Sequence, residues 1–125
     1  VQQACPLFVP LAEEGWNEGE IAELAARRYL GELPLSGIDA AILGCTHYPL
    51  LKDTVAKVLG PGITLVDSAH TTAEAVAELL ADGNLLHLGK ADAPRYLLTD
   101  ANNRFGEVGA RFLGRSLGEI ELVDL

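Results

Sequence analysis

The chain has 125 residues, enough for one ordinary domain that buries roughly two-thirds of its unfolded surface. Hydrophobic residues make up 49% of it, which supports a packed core and excludes a disordered chain. The formal net charge of −9 disfavours nucleic acid and anionic membranes as partners, and no apolar run nears the roughly 18 residues of a membrane span. An acidic, cytoplasmic protein is expected. Two cysteines, Cys5 and Cys45, are too few for a disulfide framework, so reduced thiols are expected. The chain opens on Val1 and holds no methionine, as a processed chain or a piece of a longer protein would.

Residues 1–11 read as strand or loop, because Pro6 and Pro10 oppose a continuous helix. Asn17 or a neighbour can cap the first helix, with Glu18 and Glu20 in its first turn and a stripe of Ile21, Leu24, Ala25 and Tyr29 ending near Leu30-Gly31. A short apolar strand covers 40–43. Pro49 suits the first turn of the next helix, whose buried face is Leu51, Val55, Val58 and Leu59, and Gly60-Pro61-Gly62 ends it. Residues 63–66 form another apolar strand. Thr71 or Thr72 caps a helix to Ala81, followed by a strand over 95–99, a helix over 103–113 and a strand over 120–123. Strand and helix alternate, the pattern of a parallel α/β sheet. In such sheets ligands bind beyond the carboxyl ends of strands, where Cys45, Asp67 and Thr99 fall.

Leu43-Gly44-Cys45-Thr46-His47-Tyr48-Pro49 carries the most chemistry. This stretch reads as the start of a helix: a thiol with a pKa near 8.5 is only a few per cent thiolate at neutral pH, and a helix N-terminus lowers that value. His47, two residues on, is placed to share a proton with Cys45 or steady its anion. The thiolate can serve as nucleophile or base, and the local residues do not choose between them. A packed, inert cysteine is the competing reading. Cys45 and His47 alone are too sparse for zinc, and His70 and His87 show no ligand spacing, so no metal is expected.

Three separated stretches carry a resemblance. Ala4-Cys5-Pro6-Leu7-Phe8-Val9-Pro10-Leu11-Ala12-Glu13-Glu14-Gly15, then Leu43 to Leu50, then Leu65-Val66-Asp67-Ser68-Ala69 resemble, in this order, segments of the glutamate racemases. The tail from Arg104-Phe105 to Phe112-Leu113-Gly114 is similar too. Ala12 stands where that family usually has valine, a loss of packing volume. The resemblance covers the second half of the family's length. Absent is the upstream half, with its D-S-G motif and the C-N-T-A motif that bears the other catalytic cysteine.

The resemblance implies a parallel-sheet three-layer α/β sandwich, part of a pseudo-symmetric pair of domains facing each other across a cleft. Residues 1–69 would belong to the second domain, and 70–125 would return to the first, leaving an apolar face exposed. It implies cofactor-independent interconversion of L- and D-glutamate for peptidoglycan, with two thiols exchanging the α-proton. Cys45 would be one acid/base, Thr46 would bind the substrate carboxylate, and His47 would tune Cys45. Glu13, or the adjoining Glu14, would help orient or protonate. Cys5, Asp67 and Ser68 read as packing and capping residues. Glutamate would be the small-molecule partner, with a homodimer in the full-length protein and inactivity of this chain alone. The alternatives are an aspartate- or hydantoin-type racemase, a Cys-His hydrolase, and a non-catalytic binding module.

Overall fold

The computed structural model describes residues 1–100 and 103–124. Helix α1 spans Phe8–Glu14, which corrects the strand-or-loop expectation for the start of the chain. Pro10 is the third helical residue, inside the first turn, where no backbone N–H is needed for the helix ladder. Gly15 ends α1 at φ 78°, a left-handed conformation that a side chain would strain, and its N–H returns to the Ala12 carbonyl.

Helix α2, Glu20–Leu30, has acidic residues in its first turn and Arg27 and Arg28 in its last, matching the helix dipole. Its cap position is Gly19, not Asn17, and no side chain caps it. The buried face also differs from the expected stripe. Ala22, Ala26 and Leu30 are buried, while Ile21 and Leu24 are exposed and Ala25 and Tyr29 half-buried. The reason is close approach: α2 packs against α3 (Lys52–Leu59), and alanines admit a neighbouring helix that branched side chains would hold off. Thr54 of α3, itself buried, donates from Oγ1 to the Asn17 carbonyl at 2.7 Å and ties the α1–α2 loop to α3.

Strand β1 (Ala40–Leu43) pairs in parallel with β2 (Thr64–Asp67), in register from Ala40↔Thr64 to Leu43↔Asp67. A 3-10 turn, Tyr48–Leu51, and α3 make the crossover, a βαβ unit. Leu51 and Val55 are buried as expected, with Val58 and Leu59 packed beside them. The core also takes Cys5, Phe8, Leu11, Ala12 and Leu43. Phe8 meets Tyr29 and Tyr48 edge-to-face, with centroids at 5.7 and 5.3 Å.

Helix α4 runs Ser68–Asp82, beginning before the expected Thr71 or Thr72 because Asp67 is the cap. The chain divides within α4 into two compact units, Val1–Val76 and Ala77–Leu125. The second has its own βαβ unit: β3 (Tyr96–Leu98), α5 (Asn103–Leu113) and β4 (Ile120–Leu122), the strands again parallel. A Cβ on Gly109 would lie 3.0 Å from Leu117, so a glycine there lets α5 seat on that side chain. No described residue after Asp67 is buried, and Leu79, Leu86, Leu88, Leu97 and Leu122 are all exposed.

Candidate active site

β1 ends at Leu43 and hands the chain to a turn rather than a helix, so Cys45 does not sit at a helix N-terminus as expected. The Tyr48 N–H donates to the Cys45 carbonyl at 3.2 Å, and the Leu50 N–H donates to the His47 carbonyl at 3.1 Å. Gly44 carries no side chain to resist the bend, and Pro49 sits in the first turn of the 3-10 helix that follows, where its missing N–H costs nothing. The turn presents Cys45 and His47 half-buried and Thr46 exposed, beyond the carboxyl end of β1.

His47 is engaged on both ring nitrogens. Its Nδ1 lies 3.3 Å from Thr46 Oγ1, and its Nε2 lies 3.7 Å from Glu13 Oε1. Glu13 sits on the last turn of α1, far from the turn in sequence, so the fold brings together Glu13, Thr46 and His47 beside Cys45. The Glu13 carboxylate approaches the His47 ring from α1.

Tyr48 holds this arrangement from below, a role the sequence reading did not assign. Its hydroxyl donates to the Cys5 carbonyl at 3.2 Å while its ring packs on Phe8 of α1. Burial raises the phenol above its ordinary pKa, and negative charge on the Cys5 or Cys45 sulfur would raise it further, so Tyr48 stays a neutral donor. Tyr29 completes the grip by accepting the Leu7 N–H at 3.3 Å. The segment leading into α1 is therefore held by two phenols, one giving and one taking a hydrogen bond. The sequence signal was present in Tyr48 itself, a large residue with a polar tip beside a buried turn.

The two cysteines differ. Cys5 is buried, and burial pushes its thiol up, which favours the neutral form. Cys45 is a free thiol open to one side. Among the described residues no three His, Cys, Asp or Glu side chains gather as a metal site would require. A groove of about 920 Å³ runs along β1, lined by Gln3, Cys5, Ala40, Ile42, Gly44 and Tyr48 among others, without Cys45, Thr46 or His47 in its wall. No helix among the described residues is long and apolar enough to cross a membrane.

No family model matches the chain. The glutamate racemase of Geobacter metallireducens is 49% identical over 126 residues, covering 100% of this chain and 47% of that protein. The crystal structure of glutamate racemase from Francisella tularensis, in complex with D-glutamate, aligns with a TM-score of 0.84 at 37% identity, covering 98% of this chain and 46% of that one. The Thermus thermophilus enzyme, in complex with beta-chloro-D-alanine, aligns at 0.80 and 40% identity over the same shares. Over its whole length the chain is similar to one half of these glutamate racemases. It spans about half the length of the relatives it matches. Its parallel α/β architecture is that of one half of the two-domain racemase.

Proposed function

We propose that this chain is the Cys45-bearing half of a cytoplasmic, cofactor-independent glutamate racemase that supplies D-glutamate for peptidoglycan. The observation that carries the reading is the Cys45–Thr46–His47 turn at a strand's carboxyl end with His47 3.7 Å from Glu13, in a racemase relative. As thiolate, Cys45 takes the α-proton of glutamate from one face, and a thiol of the complementary half donates a proton to the opposite face. The reverse direction exchanges the two roles, and the net proton count is unchanged. Thr46 binds the substrate carboxylate through its hydroxyl or N–H. His47, oriented by Thr46 and Glu13, tunes the proton on Cys45. Cys5 is unsuited to be the second thiol, because it is buried in this half's own core.

Residues beyond α4's start return to the first domain in this reading, where the other half covers the exposed leucines, and the full-length protein forms a homodimer. The chain alone is inactive, since one thiol cannot serve both faces.

The test is α-deuterium incorporation into L- and D-glutamate in D₂O, with this chain mixed with a separately supplied upstream half of a relative. Exchange and racemisation that both vanish with Cys45→Ser support the reading. Absence of both in a mixture shown to be folded and associated overturns it.

A further inference from the structure

Residues 44–51 form the loop that supplies Cys45, Thr46 and His47, and the two ends of that loop meet at one residue. At its start, Leu43 is the register partner of Asp67 across the parallel pair. At its end, the Lys52 Nζ donates to Asp67 Oδ2 at 2.8 Å. Asp67 is buried to 7% relative exposure and is itself fixed. Its Oδ1 accepts the His70 N–H at 3.0 Å, capping α4, and its carbonyl accepts the Thr71 hydroxyl at 3.0 Å. A carboxylate held on both oxygens at a strand end is a stiff anchor, and the lysine it binds is the first residue of α3.

We propose that Lys52 and Asp67 are positioning residues for the Cys45–His47 turn, drawing both ends of the 44–51 loop onto the carboxyl end of β2. The purpose assigned to the anchor rests on the racemase reading; the anchor's effect on the loop does not. The ammonium of Lys52 is half-exposed while its partner is nearly buried, so removing it releases the loop's end without opening the core and leaves the carboxylate unpaired. Loop opening then becomes easier than opening of α2, which takes no part in the contact.

Amide hydrogen exchange of the full chain tests this, read at the Tyr48 and Leu50 amides and, for reference, at α2. Lys52→Met is expected to speed exchange of the two loop amides by about threefold or more, the scale of a partly exposed ion pair, with α2 unchanged. Lys52→Arg, which can still reach the carboxylate, is expected to restore the original rates. Asp67→Asn keeps a capping oxygen but loses the charge; it should match Lys52→Met in the loop, and the double variant should be no faster than either. In parallel, alkylation of Cys45 by iodoacetamide, followed by peptide mass spectrometry, should change by about threefold or more in Lys52→Met and return in Lys52→Arg while Cys5 stays protected.

Unchanged loop exchange in Lys52→Met overturns the proposal, as does equal acceleration in the loop and α2. An Arg variant that behaves like Met also overturns it, because charge pairing would then be irrelevant. Failure of the isotope-exchange test for Cys45 removes the racemase reading and leaves these loop rates as they stand; unchanged loop rates remove the anchor and leave that reading intact.

Discussion

The two units share one plan and differ in what they bury. Each pairs two parallel strands through a helix, yet residues 1–76 close around Phe8, Leu51 and Val55, while no described residue from 77 onward is buried. Secondary structure is thus not what separates them. Helix α5 is amphipathic and its apolar side includes Phe105 and Phe112, both partly open to water. The lesson is that a βαβ unit satisfies its own backbone but a single sheet–helix contact covers too little apolar surface to make a core. Unit 1 gains its core from the two helices that precede β1, α1 and α2, and unit 2 has no counterpart among the described residues.

The largest effect should come from the centre of the first unit. Phe8→Ala removes a ring in contact with both tyrosines, and a loss of about 3–5 kcal/mol is expected in urea unfolding, against under about 1 kcal/mol for Leu79→Ala in the exposed part of α4. Equal losses at the two positions would break the comparison and mean that α4 is covered in solution.

A second effect appears only in acid. The bond from Lys52, then the His70 N–H, holds the Asp67 carboxyl below its ordinary pKa. A depressed folded-state value means stability present in full above the unfolded carboxyl pKa, about 3.9, and lost as pH falls through the lower folded value. Asp67→Asn should therefore flatten the acid limb of the stability profile of unit 1. A variant whose acid limb matches the original would place the acid sensitivity elsewhere.

Smaller again is Tyr48→Phe. It keeps the ring on Phe8 and removes the hydroxyl bonded to the Cys5 carbonyl, for an expected loss of about 1 kcal/mol by the same unfolding assay. The smallest belongs to Lys57, whose pair with Glu23 at 3.2 Å joins α3 to α2 largely in solvent. Lys57→Met should cost less than about 0.5 kcal/mol, and a larger loss would show that ion pairing, not alanine-mediated packing, holds α2 on α3.

Much of this was legible in the chain itself. The apolar runs over β1 and β2, the glycine-proline break after α3, and the helix over 103–113 all announce themselves within a few residues, because their causes are local. Cys45, Thr46, His47 and Glu13 were named from the residues and the resemblance, and the fold brings Glu13 to His47. What escaped was decided at a distance. Proline at position 10 reads as a helix breaker until its place in the first turn is known. Ile21 and Leu24 carry the stronger apolar signal, but the approach of α3 selects the alanines. Lys52 and Asp67 stand 15 positions apart, and nothing in either neighbourhood marks them as partners.

The register of the strands has a kinetic side. Ala40 faces Thr64 and Tyr96 faces Ile120, a separation of 24 residues in both cases. Closing either pair confines the same length of chain, so the entropic barrier to the first encounter is matched. The two should form at comparable speed. They should part at very different speeds, since only the first, once shut, is buttressed by α1 and α2. Residence time, rather than rate of formation, is where the two halves of this chain diverge.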